Sequence, residues 1–317
     1  MEHVVCPICK SDDQKFLFDR LDHTHYVTRD RFSVVRCRRC TMVYVNPRPD
    51  AVEIESFYPS DFYDVRVTAE KLLEEKRDAL EARARLLSAL RPGRLLDIGC
   101  QKGEFLFWMR QRGWDVQGIE FSKTPPNMFD MPIQYGRIES ATLEAKSFDA
   151  ITLWAVLEHV HDPVAALCQV SNLLAPGGRA FALVPNFRSL PARVMRHDDV
   201  PRHLMMFTPS TLRYAAKSAG LRVRRVVFGG DIFSDSTRGL FNFVVKRAFG
   251  ESYDDILTQN RSVALWPDFT GSLNGKPSQL MRMTDRVDQR LTPYVDRIAR
   301  NLRCGFTMTA ELESEGG

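Results

Sequence analysis

The sequence predicts an α/β domain, a mostly parallel sheet with helices on both faces, preceded by a small metal-binding module. Three consecutive stretches carry the prediction for the sheet. Arg94 to Gly103, RLLDIGCQKG, is an apolar run that enters a glycine turn; EFLFWMRQRG behind it has helical spacing; WDVQGIEF then supplies a second strand ending in Glu120. Strand, tight turn, helix and acid-tipped strand in that order open a nucleotide-binding sheet. Gly99 and Gly103 leave room for a ligand against the backbone, and Glu120 is placed to accept hydrogen bonds from two ribose hydroxyls.

The metal-binding module comes from the N-terminal cysteines. Of seven in the chain, four form two C-x-x-C pairs, Cys6-Cys9 and Cys37-Cys40. Each pair can hold one face of a tetrahedral ion, so together they predict a closed, structural zinc site in a module spanning 1–50. His3, His23 and His25 are then superfluous as ligands and read as exposed loop histidines. The proline- and aromatic-rich stretch from Thr41 onward, TMVYVNPRPDAVEIESFYPSDFYD, reads as a strand leading into turns that pack on a neighbouring surface. Within the linker 51–93, Leu72, Leu73, Leu80, Leu86, Leu87 and Leu90 predict a helix from Thr68 to Leu90 that Pro92-Gly93 ends.

From Arg94 to the C-terminus, strands are predicted at 94–100, 114–121, 133–138, 148–154, 178–185, 221–229 and near 302–312. The first strand carries its own acid, Asp97, in the spacing D-x-G-x-x-x-G, and a carboxylate there repels the phosphates of a dinucleotide. It suits a cationic, phosphate-free ligand such as S-adenosyl-L-methionine. With FDAITLWAVLEHVHDP and LLAPGGRAFALVPN following in order, the chain resembles the class I S-adenosylmethionine-dependent methyltransferases, whose sheet is Rossmann-like and seven-stranded. That resemblance implies a cofactor site of Asp97, Gly99, Cys100, Gln101 and Gly103 in the loop, with Glu120 and Phe121 after the second strand. It adds Ile138 and Glu139 after the third strand, and Trp154 and Ala155 after the fourth. Gln101 stands where the family has a middle glycine, which predicts a reshaped loop. Glu139 reads equally as a solvated acid and Trp154 as core. A helix covering the cofactor mouth is a further family expectation for 68–90. Quinone O-methyltransferases of the family carry a metal-binding E-x-x-E-H at Ala155 to His159; the first acid is missing here and Glu158 and His159 alone would hold an ion weakly, so they read as part of the cofactor wall or as helix caps.

Open α/β sheets take substrates at the carboxyl ends of their strands, so the segment from Asn186 to Gly220 is expected to form the acceptor wall. Between Arg188 and Phe228 nine Lys or Arg residues face two aspartates. This excess points to an anionic acceptor or to a solvated basic face, and Arg222 and Arg224 could reach one side together. The chain also resembles zinc-containing methyltransferases of bacterial sugar and surface-glycan biosynthesis; Val200, Pro201, Arg202 and His203 stand where the deoxysugar C-methyltransferases that share the zinc module show Y-H-E-H, and only the last histidine is kept. His203 is therefore the expected general base, against a purely structural role, with Asp199 to orient it and His197 as a more loop-like rival. The insertion at about 231–297, with a helix interrupted near Pro293, reads as a lid or a dimer contact.

Hydrophobic content of 44%, charged content of 26% and a net charge of +4 are those of a globular protein and supply no argument for nucleic acid. The first 50 residues hold nine basic and seven acidic side chains, a weak RNA-binding surface. No apolar run spans a bilayer and MEHVVCPICK lacks a signal pattern, so the cytoplasm is the expected compartment. The function expected is O-methylation of a sugar hydroxyl on a nucleotide sugar or glycan intermediate. Its rivals are methylation of RNA or protein, methylation of a quinone or polyketide, and a non-catalytic cofactor-binding scaffold.

Overall fold

A computed structural model describes residues 1–59, 67–123, 125–195, 199–229, 237–258, 272–273 and 276–315. Strands β1 (Gln14–Arg20), β2 (Phe32–Cys37) and β3 (Val43–Val45) come first, and a 3-10 turn at Glu53–Phe57 leads to α1 (Ala69–Glu75) and α2 (Arg77–Leu86). Then follow β4 (Arg94–Ile98), α3 (Glu104–Arg110), β5 (Asp115–Glu120), β6 (Ile133–Tyr135), β7 (Phe148–Trp154), α4 (Pro163–Leu173) and β8 (Leu174–Pro185). Next are α5 (Leu190–Val194), β9 (Met205–Met206), α6 (Pro209–Ser218) and β10 (Leu221–Phe228). The C-terminal part holds α7 (Leu240–Ala248), α8 (Tyr253–Thr258), the paired β11 (Ser272–Leu273) and β12 (Lys276–Pro277), α9 (Gln279–Asn301) and β13 (Thr307–Ser314).

The seven expected strands form one sheet in the order β10-β13-β8-β7-β4-β5-β6. Strands β8 through β6 run parallel, and β13 is antiparallel to both its neighbours. Alternation along β4 sends Leu96 and Ile98 to one face and Leu95 to the other. The first face packs on Ala166, Leu167 and Val170 of α4 and Leu212, Ala215 and Ala216 of α6. The second packs on Leu80 of α2 and Phe105, Leu106 and Met109 of α3. A fully buried leucine in these layers contributes about 1.5–3 kcal/mol. Local signals set the helix starts: the Asp162 side chain accepts from the amides of Val164 and Ala165 ahead of α4, and Thr208 with Thr211 forms a reciprocal cap on α6.

Several boundaries differ from expectation for physical reasons. The helix expected over 68–90 is two, broken at Lys76, whose side chain leaves the axis to pair with the buried carboxylate of Glu104. Helix α9 runs through Pro293 without interruption. Pro293 and Gln289, whose carbonyl loses its usual amide, are both exposed, so water can serve that carbonyl. The last strand starts at Thr307, because Arg303 after α9 takes a left-handed turn. His23 is not an exposed loop histidine: its side chain is 6% exposed and pairs with Asp254 at 3.3 Å.

The N-terminal module is not an appendage. Met205 and Met206 of β9, directly after His203, pair with Tyr44 and Val43 of β3 and complete a sheet in the order β1-β2-β3-β9. A buried ion group reinforces this seam. Arg202, fully buried, donates to Asp22 of the module at 2.6 Å, to Asp199 at 3.0 Å and to the Phe57 carbonyl at 2.7 Å. Burial alone would push the Asp199 carboxyl up, but the Arg202 guanidinium outweighs it and holds the group well below the usual carboxylate range.

Arg202→Met should therefore cost about 3–5 kcal/mol in urea unfolding, because Asp22 and Asp199 would be left buried without a counter-charge. Since the folded carboxyl is depressed, the contribution of this pair is complete above about pH 4, the unfolded value, and is lost as pH falls toward the folded one. That acid-side loss should disappear in the variant.

Candidate active site

The carboxyl ends of β4, β5 and β7 open into a cleft of about 380 Å³. Gly99, Gln101, Glu120, Phe121, Ile138, Glu139, Trp154 and Ala155 all line it, so eight of the eleven residues singled out in the sequence meet around one space. Asp97, Cys100 and Gly103 do not line it. Asp97 lies beneath the loop, taking a 2.6 Å hydrogen bond from the Thr152 hydroxyl; burial pushes its carboxyl up to about 7 against that bond. The Cys100 thiol points inward against Gly118, where a Cβ would meet it at 2.5 Å, and burial pushes it far up. Gly103 starts α3 with φ 85° and packs on Met131.

Backbone conformation shapes the loop. Gly99 has φ 74°, and Gln101, in place of a glycine, takes φ 49°. The side chain is thus accommodated in a glycine-like backbone at a cost of about 1–2 kcal/mol. Ala155, at the end of β7, is also left-handed at φ 56°. Glu120 braces the turn by accepting from the Gln101 amide at 2.8 Å and the Ser122 amide at 3.1 Å, and burial raises its pKa. Two buried carboxyls, both pushed upward, favour a positively charged occupant and disfavour phosphate. At the rim the Arg137 guanidinium lies 5.1 Å from the centroid of the exposed Phe121 ring. Trp154 lines the cleft with its indole N–H buried and lacking an acceptor among the described residues, a donor that a ligand could satisfy.

The covering wall comes from Ile54, Glu55, Tyr58 and Pro59 in the 3-10 turn and the residues after it, and not from α1 or α2, which pack into the core. No local motif marked these residues; only their aromatic and proline content hinted at packing. The other end of the cleft holds His159. Its Nδ1 lies 3.1 Å from the Arg202 carbonyl, which can only accept, so Nδ1 carries the proton and Nε2 the lone pair. Burial holds its pKa below the ordinary value. The half-buried His203 meets it edge-on at 4.7 Å between centroids, and its amide donates to the Asp199 carbonyl at 2.7 Å. Ligating atoms of Glu158, His159 and His203 lie within 4.8 Å of one another, so the fold supplies a third group beside the pair visible in sequence. His197 falls outside the described residues.

Among the described residues, no Lys or Arg of the acceptor segment lines the cleft. Arg222, Arg224 and Arg225 on β10 pair with Glu311 and Glu313 on β13, and Arg202 is consumed by Asp22 and Asp199. In the N-terminal module the four cysteines converge. Cys6 and Cys40 sulfurs are 3.4 Å apart, Cys9 and Cys37 sulfurs 3.5 Å, and all four lie within 4.8 Å of one another. The knuckles match: Lys10 and Thr41 are both left-handed, and their amides donate to the carbonyls of Cys6 and Cys37 at 3.0 and 3.1 Å. A tetrahedral ion with sulfur at about 2.3 Å requires sulfur separations of about 3.8 Å, which these side chains fit.

Residues 69–226 match the family described as a methyltransferase domain. The chain carries a class I S-adenosylmethionine-dependent methyltransferase domain, the class that the sheet and cleft define. Among relatives, it is 32% identical over 152 residues to a ubiquinone biosynthesis O-methyltransferase of Aeromonas salmonicida, covering 41% of this chain and 63% of that protein. A protein of the same name from Paraburkholderia phymatum is 34% identical over 148 residues, covering 40% and 64%. The chain thus spans less than two thirds of the length of these relatives. A solved S-adenosylmethionine-dependent methyltransferase from Archaeoglobus fulgidus aligns with a TM-score of 0.46 and 17% identity, over 77% of this chain and 99% of that one.

Gly99→Ala tests the loop geometry. The added Cβ would meet Val156 Cγ2 at 2.6 Å on a left-handed backbone, so stability should fall by about 1–3 kcal/mol. Adding Val156→Ala should restore the steric part alone, measured by thermal unfolding of the single and double variants.

Proposed function

We propose that the protein transfers the methyl group of S-adenosylmethionine to a hydroxyl of a small-molecule acceptor, and that the acceptor is an aromatic or quinone-type compound. Support for the aromatic class comes from the relatives, which are named O-methyltransferases of ubiquinone biosynthesis. The one structural observation that carries the reading is the lining of the cleft: among the described residues it takes no Lys or Arg from the segment after Asn186, which weakens the charge argument for a nucleotide sugar and leaves an acceptor end of Trp154, Val156, Tyr58 and Val160.

When bound, S-adenosylmethionine supplies an electrophilic methyl on a sulfonium. Glu120 would accept from the ribose hydroxyls, Ile138 and Glu139 would meet the adenine, and Gly99, Gln101, Trp154 and Ala155 would flank the methionine portion. Asp97 and Gly103 act from beneath, through charge and loop shape. The chain's contribution is alignment in a site from which the 3-10 turn excludes water, and His203, beside His159, takes the hydroxyl proton as the new bond forms. Asp199 acts through Arg202 and the His203 amide and positions that imidazole.

The test is calorimetric titration with S-adenosylmethionine, then turnover on catechols and on sugar nucleotides in parallel. His203→Asn and His159→Asn should keep cofactor binding while the variant lacking the base loses ~10²–10⁴-fold in turnover on the catechol. Full turnover in both would mean that alignment alone suffices, and methylation of the sugar nucleotide alone would restore the sugar reading. Turnover that requires added Mg²⁺ or Mn²⁺ would assign Glu158, His159 and His203 to an ion instead.

We further propose that Cys6, Cys9, Cys37 and Cys40 hold one structural zinc. Metal analysis should return about one zinc per chain, and its removal should loosen the β3–β9 pairing as well as the knuckles, because both belong to one sheet. Hydrogen exchange at Met205 and Met206 before and after chelation reads that coupling; metal-free protein with disulfide-bonded knuckles would overturn the assignment.

A further inference from the structure

Ten of the eighteen large apolar side chains exposed among the described residues lie on α7, α9 and the residues that end them. Six form one row on α9: Leu280, Met283, Val287, Leu291, Tyr294 and Ile298, each between 40% and 67% exposed. At 100° per residue they fall within an arc of roughly 80° along a helix about 35 Å long. The side of α9 used by the fold adjoins this row: Met281, Thr284, Asp288 and Ala299, roughly 60–120° round from its centre, are buried.

Charge on this helix is segregated as sharply as polarity. Arg282, Arg286, Arg290, Arg297 and Arg300 are all exposed, and Arg286, Arg290 and Arg297 form the row directly beside the apolar one. No acid of α9 is exposed. Asp288 is buried and accepts from the amide of Asn242, Asp296 accepts from the amide of Thr237, and Asp285 is half-buried and takes a hydrogen bond from Gln289. The exposed face is therefore apolar along the edge that adjoins the core and purely cationic in the row beside it. No helix of the described residues is long and apolar enough to cross a membrane, so an apolar face of this kind would lie along a surface.

We propose that the exposed face of α9 docks on an anionic lipid surface, the apolar row entering the acyl boundary and the arginines meeting lipid phosphates. Charge complementarity selects this occupant over a second copy of the chain. A two-fold contact would set the arginine rows against each other with no exposed acid on the helix to neutralise them, whereas lipid phosphates supply the missing charge. Docking is independent of which acceptor the cleft takes.

Flotation of the full-length protein with vesicles of phosphatidylcholine alone, or of phosphatidylcholine mixed with phosphatidylglycerol, tests the proposal. Binding is expected only to the mixed vesicles, reversed by high salt. The triple variant Arg286→Gln, Arg290→Gln, Arg297→Gln should weaken it on the order of 10²-fold, from about fivefold per arginine. Leu291→Asp with Ile298→Asp should abolish it; both variants alter exposed positions, and unchanged thermal unfolding checks that they fold. Absence of binding to mixed vesicles, binding that the arginine variant does not weaken, or a dimer in light scattering that Leu291→Asp dissolves would each overturn it.

Discussion

One buried cation organises the side of the cleft that holds His159. Arg202 joins three segments distant in sequence: Asp22 in the N-terminal module, the Phe57 carbonyl at the end of the 3-10 turn, and Asp199 in its own loop. Such a group is a poor source of net stability, since desolvation of three charges offsets most of their attraction, but it is strict about geometry. Neither aspartate tolerates burial without the guanidinium, so the module, the covering turn and the loop that carries His203 must dock together or not at all. The Arg202 carbonyl extends the constraint one step further by fixing the tautomer of His159.

The cofactor end is built by another means. Its residues sit on strand ends held by the parallel ladder, and their shape depends on left-handed backbone at Gly99, Gln101 and Ala155. Strain at these three points is sustained by what surrounds them: Glu120 brackets the loop with two amide bonds, and the Ala155 amide is fixed to the Leu183 carbonyl at 3.0 Å. Buried carboxyls below and beside the loop add an electrostatic preference for a cation. Position, shape and charge thus come from backbone and sheet, with few side chains of the cleft acting alone.

This division explains what could be read from the chain. The sheet was legible because each strand is a local apolar run bounded by turn residues, and the knuckles because their spacing is itself the geometry of a tetrahedral site. Eight cleft residues were legible because they stand at fixed offsets from those strands. What failed were inferences from composition. Nine basic residues suggested an anion-binding wall, yet Glu311 and Glu313, nearly a hundred residues away in sequence, lie on the adjacent strand and pair with three of them. Asp97 and Gly103 were correctly placed at the loop but not within the cleft, since the direction of a side chain depends on the pleat and on Thr152 across the sheet. Tyr58 and the β3–β9 pairing carry no local signature, because each is defined only by contact with a remote segment.

The end of the cleft near His159 therefore has a property that the glycine-loop end lacks. Tyr58, His159 and His203 come from three separate stretches, and the last two are positioned through Arg202 and the sheet that the module completes. Changes to the module can move this wall without touching a residue of the cofactor loop, because no cleft-lining residue belongs to β1, β2 or β3. The reverse does not hold: the cofactor loop rests on β4, β5 and β7, which are buried on both faces and leave little freedom to shift. A scaffold arranged in this way pairs a loop fixed by the sheet with a covering wall that depends on contacts from outside it.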